Sequence, residues 1–153
     1  LRGRRILLLG AGGAARGVIP TLLEQDPSEL IIANRTVVKA EQLVDRFRAL
    51  GSIRAFHYAG VPVGPFDLVI NATSLSLTGE IPPLNTSSIG THTWCYDMMY
   101  TADGCTRFLD WCQANGAAAC SDGLGMLVEQ AANSFSLWHG IDPDTGPVIA
   151  ALR

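Results

Sequence analysis

The chain has 153 residues, 48% of them hydrophobic, and a formal net charge of -3. That length suffices for one domain that buries its own core without metals or disulfides. The slight acidity removes any electrostatic case for nucleic acid or an anionic membrane surface, and no apolar run reaches transmembrane length.

The four cysteines, Cys95, Cys105, Cys112 and Cys120, form no C-x-x-C pair and have no histidine at ligand spacing, so no metal site is expected. They fit a reduced, cytoplasmic setting, with Cys95 and Cys120 as small buried apolar residues of strands. A start at Leu1 without methionine suggests a piece of a longer protein, and residues 1–153 read as one domain. The single lysine is Lys39.

The first predicted element is a strand, Arg5–Leu9, whose continuous apolar run suits a central parallel strand covered on both faces. It opens into Gly10-Ala11-Gly12-Gly13-Ala14-Ala15-Arg16-Gly17. The small residues Gly10, Gly12 and Ala15 have the spacing G-x-G-x-x-A. Gly10 permits a tight turn, Gly12 lets a pyrophosphate approach the backbone, and Ala15 lets the helix pack closely on the strand. The backbone of Gly10, Ala11, Gly12, Gly13 and Ala14 is therefore a candidate phosphate site at a helix start. That helix is expected over Gly13–Glu24, burying Ala14, Ala15, Val18, Leu22 and Leu23, with Pro20 disturbing its middle.

A second strand, Leu30–Ala33, ends at Asn34-Arg35-Thr36. An acidic residue here would bind the ribose hydroxyls of NAD, whereas arginine pairs with the 2'-phosphate of NADP. Ile31 to Ala40 contains no Asp or Glu, and Lys39 follows Arg35 by four residues. Asn34, Arg35, Thr36 and Lys39 thus form a candidate NADP clamp.

A helix over Val37–Leu50 and a strand over Ile53–Phe56 follow, then a loop at Val61–Pro65. The strand Asp67–Asn71 opens into Ala72-Thr73-Ser74, on the face where parallel sheets bind ligands. Thr73 there either contacts the cofactor or satisfies loop backbone. Thr78–Gly90 reads as a connection with at most one helical turn. The fifth strand, Thr93–Asp97, leads to Met98-Met99-Tyr100, which either packs on a nicotinamide and reaches substrate or fills core. A helix over Thr106–Asn115, a strand over Ala117–Cys120 and a turn at Ser121-Asp122-Gly123 come next.

The last long helix, Leu124–His139, carries an apolar stripe of Leu124, Leu127, Val128, Ala131, Ala132, Phe135 and Trp138 expected to face the sheet. Its opposite face holds Met126, Gln130 and Leu137, which suggests docking to something outside this chain. Val148–Leu152 is at most a short terminal helix. His57, His92 and His139 match no nucleophile or ligand motif and read as structural or exposed. The expected architecture is a Rossmann-like, doubly wound α/β domain with six mainly parallel strands in the order 3-2-1-4-5-6 and helices on both faces.

Taken together, the glycine turn, Asn34-Arg35-Thr36 with Lys39 and Ala40, Asn71-Ala72-Thr73-Ser74, Tyr96-Asp97-Met98-Met99-Tyr100 and the block from Asp122 to Ala132 resemble the C-terminal, NADP-binding half of the shikimate dehydrogenase family. The resemblance implies NADP-dependent reversible reduction of 3-dehydroshikimate to shikimate, in aromatic amino-acid biosynthesis. It implies that Met98 and Gly123 lie beside the nicotinamide and that Tyr100 and Gln130 reach the substrate. In this family the proton-transfer lysine and aspartate belong to an N-terminal lobe absent from this chain, so no catalytic residue is assigned here. The chain alone is expected to bind NADP(H) without turnover, and the lobe to dock on the Gln130 face.

Three positions depart from the family pattern: Lys39 stands where arginine is common, Leu75 and Ser76 follow Ser74 where a glycine is usual nearby, and Arg107 replaces a frequent proline. A quinate-type relative and a stand-alone NADP(H)-binding module are the alternatives.

Overall fold

The computed structural model describes residues 1–153, the side chain of Leu77 apart. In chain order the elements are β1 (Arg5–Leu9), α1 (Gly13–Glu24), β2 (Glu29–Ala33), α2 (Val37–Phe47), β3 (Ile53–Phe56) and β4 (Leu68–Asn71). Then come α3 (Leu75–Thr78), β5 (Trp94–Asp97), α4 (Arg107–Ala114), β6 (Ala119–Ser121), α5 (Leu124–His139) and α6 (Gly146–Ala151). Among the described residues no helix is long and apolar enough to cross a membrane.

The strands form one sheet in the order β3-β2-β1-β4-β5-β6, and every neighbouring pair is parallel. The expected order holds, and the sheet is wholly rather than mainly parallel. β1 is central because Ile6, Leu7, Leu8 and Leu9 are all fully buried, a run that only a strand covered on both faces can hide. Ile6 and Leu8 join Ile19, Leu22, Leu23, Ala40 and Leu43 beneath α1 and α2. Leu7 and Leu9 face the other layer with Phe66, Phe108, Leu109 and Cys112.

Register sets the site. Leu9 lies opposite both Ala33 and Asn71, Ala33 opposite Phe56, and Asn71 opposite Asp97. The carboxyl ends of five strands are therefore level. The chain order reverses between β1 and β4, the switch point at which such sheets open a crevice.

Local differences from expectation have physical reasons. On α1, Ala14 is exposed and Ile19 takes the inward position. α1 runs through Pro20 to Glu24. A proline inside a helix costs about 3 kcal/mol, and burial of Leu22 and Leu23 beyond it offsets that at roughly 2 kcal/mol each. α2 stops at Phe47, and Leu50 is exposed. β6 is shifted to Ala119–Ser121. One helical turn falls at Leu75–Thr78, while a 3-10 turn at Thr86–Ser88 lies within the expected connection. The four cysteines are free, and burial pushes the Cys120 thiol up to about 11.

The larger correction concerns α5. Only Leu124 and Val128 of its stripe are buried; Leu127, Phe135 and Trp138 are exposed. β6 is an edge strand of three residues, so the sheet ends before the helix does. α6 folds back instead, leaving a shallow groove lined by Val128, Ala132, Phe135, Pro143 and Val148. Thr145 Oγ1 donates to Glu129 Oε1 at 2.7 Å and Ser136 Oγ to Asp142 Oδ1 at 2.6 Å, which holds this return.

The sheet is also unevenly covered. On the face that α1 and α2 bury at β1–β3, the β4–β6 half presents Leu68, Ile70, Trp94, Tyr96 and Ala119 to an open groove of about 440 Å³. Trp94 is 63% exposed.

Candidate functional site

The switch point carries a cleft of about 560 Å³ lined by Gly10, Ala11, Gly12, Asn34, Arg35, His57, Tyr58, Thr73, Glu80, Ile81 and Pro83. Gly10 has φ +99°, and a Cβ there would sit 3.0 Å from the Ala72 carbonyl oxygen and 3.1 Å from Thr73 Cγ2. Its glycine is demanded by this chain. Gly12 is different: it precedes α1 in extended conformation, and a Cβ on it would meet no protein atom within 4 Å. Nothing in the chain's own packing requires glycine there, and the backbone at Gly12 stays open on the cleft wall. The first turn of α1 has no side-chain cap and no acidic residue, which leaves its leading N–H groups and positive dipole end facing the cleft.

Arg35 closes the other end. It is exposed, forms no ion pair among the described residues, and lines the same cleft as the glycine turn. Asn34 Nδ2 donates to the Thr36 carbonyl at 2.8 Å, which shapes the bend before α2. Lys39 is exposed one turn into α2 and does not line the cleft. Tyr58, from the turn after β3, is buried beside Arg35: burial pushes its hydroxyl pKa up, and the Arg35 charge partly counters this. His57 and Tyr58 were not legible as cleft residues, because only the pairing of β3 with β2 brings them there.

Thr73 lines the cleft with its hydroxyl engaged. Oγ1 donates to Asn71 Oδ1 at 2.7 Å and accepts the Leu75 N–H at 3.4 Å. Behind it stands a buried polar knot that joins β4, β5, α3 and α4. Asp97, fully buried, accepts from Asn71 Nδ2 at 3.1 Å, Ser76 Oγ at 2.8 Å, Thr106 Oγ1 at 2.6 Å and the Met99 N–H at 3.1 Å. Two departures from the family pattern find uses here. Ser76 supplies a donor to Asp97, and Arg107 Nη1 donates to the Gly79 carbonyl at 3.0 Å, tying α4 to the end of α3.

A second cluster lies at the ends of β5 and β6. The structure brings Met98 and Gly123 together: a Cβ on Gly123 would collide with the Met98 carbonyl oxygen, and the Gly123 N–H donates to the Met99 carbonyl at 2.9 Å. Asp122 caps this junction by accepting the Leu124 N–H at 3.3 Å and the Thr101 N–H at 3.4 Å. Arg153 grips the same carboxylate with both terminal nitrogens. Burial works against the charged carboxylate, but the guanidinium and the backbone donors outweigh it and hold Asp122 below the usual range. Tyr100 is exposed at the start of this loop, and Gln130 is exposed on α5. Met98, Tyr100, Gly123 and Gln130 lie outside the cleft wall described above.

The sequence profile described as "Shikimate / quinate 5-dehydrogenase" matches residues 1–78, just over half of the chain. The one described as "Shikimate 5'-dehydrogenase C-terminal domain" matches residues 123–153. The chain belongs to the shikimate/quinate 5-dehydrogenase family. A family member from Hahella chejuensis, named "Shikimate dehydrogenase (NADP(+))", is 54% identical over 153 residues, covering 100% of this chain and 56% of that protein. An Ael1 enzyme from Pseudomonas putida matches with a TM-score of 0.89 at 44% identity, over 99% of this chain and 55% of that one. The ligand-free 5-ketofructose reductase of a Gluconobacter strain gives a TM-score of 0.84 at 32% identity, over 99% and 56%. The chain thus spans about half the length of the curated relatives it matches.

Proposed function

We propose that residues 1–153 form the NADP(H)-binding half of a cytoplasmic shikimate dehydrogenase, the reversible reductase of 3-dehydroshikimate. The observation that carries this is one cleft with the uncapped start of α1 at one end and, at the other, Arg35, which has no ion pair among the described residues. The groups present fit the dinucleotide. Gly10, Ala11, Gly12, Gly13 and Ala14 offer backbone to the pyrophosphate. Asn34, Arg35, Thr36 and Lys39 gather positive charge and donors for the 2'-phosphate, with no carboxylate at the end of β2 to repel it. The curated relatives are named for NADP(+), in agreement with this charge pattern.

When bound, the dinucleotide supplies the hydride that reduces the substrate carbonyl. The chain's own residues position it. Met98, held by the Gly123 contact, and Gly123 itself shape the nicotinamide side, while Thr73 packs the loop after β4 against Gly10. Tyr100 and Gln130 are the substrate-facing side chains, and exposed α5 is where the remaining lobe docks. Reduction also needs a proton delivered to the developing alkoxide. The only lysine, Lys39, sits in the cofactor clamp, so the isolated chain holds one partner of the reaction without its acid.

Incubating the purified chain with NADP+ and shikimate, and following NADPH absorbance, tests the last point. No shikimate-dependent rate is expected; a steady rate would place the acid within residues 1–153. Preference for quinate by the longer protein would favour the quinate-type relative. Tight NADP(H) binding by a gene product that has no second lobe would favour a stand-alone module.

A further inference from the structure

We propose that His57 is a further contact to the 2'-phosphate, beside Arg35 and Lys39, and so helps to set the preference for NADP+ over NAD+. The inference rests on the cofactor reading above and names a specificity residue within it. β3 runs alongside β2 with Ala33 opposite Phe56, and the Asn34 N–H donates to the Phe56 carbonyl at 3.0 Å. Residues that follow the two strands therefore leave the sheet side by side, on backbones about 4.8 Å apart. Arg35 and His57 are such residues, and both line the same cleft. Tyr58, the next residue after His57, lines that cleft as well, and the Arg35 charge is felt there.

The imidazole is held in one orientation. Nδ1 accepts the Ala59 N–H at 3.3 Å and caps the 3-10 turn Tyr58–Gly60. A neutral ring whose Nδ1 accepts must carry its proton on Nε2. Nε2 is the opposite edge of the ring, His57 is exposed, and no partner within the chain takes that proton among the described residues. The acceptor edge thus serves the turn and the donor edge is free for an anion. Arg35 is the cation and Glu80 the carboxylate that share the cleft wall with it, and Tyr58 is the neighbouring phenol. A capping role alone would explain Nδ1 but would not require a ring with a second nitrogen.

Calorimetric titration of the wild-type chain, His57→Ala and His57→Ser with NADP+ and with NAD+ tests this. Serine keeps an acceptor for the Ala59 N–H, so it preserves the turn while removing Nε2. Both variants are expected to bind NADP+ about tenfold more weakly, as for one lost hydrogen bond to a charged group, with NAD+ affinity unchanged. An equal loss for both dinucleotides overturns the proposal, because the contact would then be to a group they share. An unchanged NADP+ to NAD+ ratio in both variants overturns it as well. If the wild type fails to prefer NADP+, the cofactor reading itself fails and His57 with it; a wild-type preference that is undiminished in the variants sinks only His57.

Discussion

The two ends of the sheet are built to different degrees of completeness. At β1–β3, α1 and α2 cover one face, and Leu8, Leu30 and Ile32 are fully buried between the layers. At β4–β6 the same face is an open groove around Trp94, and α5 runs on beyond the edge strand with Leu137 84% and Trp138 75% exposed. Parallel sheets are normally covered on both faces. The first end is closed by its own helices; the second leaves apolar side chains open, in a chain that spans about half the length of the curated relatives it matches. The contrast teaches that the cleft between the glycine turn and Arg35 is walled by the chain's own residues, whereas the β4–β6 side leaves apolar surface uncovered.

Substitutions at the join between the halves have the largest effects. Asp97→Ala leaves four buried or half-buried donors without their acceptor, and is expected to cost about 4 kcal/mol in urea unfolding. A loss below about 1 kcal/mol would mean that the knot does not hold β4 to β5. Gly123→Ala forces a methyl against the Met98 carbonyl. It should cost about 3 kcal/mol through backbone displacement, read from the same unfolding midpoint, and an unshifted midpoint would show that the β6–α5 junction is loose.

Acid sensitivity probes the same junction more gently. Asp122 has a depressed pKa in the folded chain, so its contribution is complete above the ordinary Asp value near 3.9 and fades as pH falls through the folded value. Arg153→Ala removes the guanidinium and should move the acid-unfolding midpoint, followed by circular dichroism, to higher pH. A midpoint that stays put would leave the pairing without a stabilising role. The smallest effect belongs to the unfinished face: Trp138→Ser should change stability by no more than about 0.5 kcal/mol, in contrast to any truncation of Leu8. A large loss there would mean that α5 is packed in solution.

The first half was legible because its signals are local. A continuous apolar run, a glycine turn and a basic residue at the end of the next strand each follow from spacing along the chain, and their elements fall where that spacing puts them. The second half needed the third dimension. Amphipathic periodicity states which residues of α5 share a face but not what covers it, so Phe135 and Trp138 read as inward while the sheet ends before reaching them. Asn71 and Asp97 read as strand-end polar residues, and only register shows that they meet. His57 matches no motif and reaches the cleft through the pairing of β2 with β3.

The most direct measurement is a calorimetric titration of the wild-type chain and of Arg35→Ala with NADP+ and NAD+ at low salt. The wild type should bind NADP+ at least about tenfold more tightly than NAD+, a difference of about 1.4 kcal/mol, and Arg35→Ala should sharply diminish that preference while leaving NAD+ affinity and thermal stability in place. Equal affinities in the wild type, or a preference undiminished by the loss of Arg35, would contradict the assignment of this cleft to NADP(H).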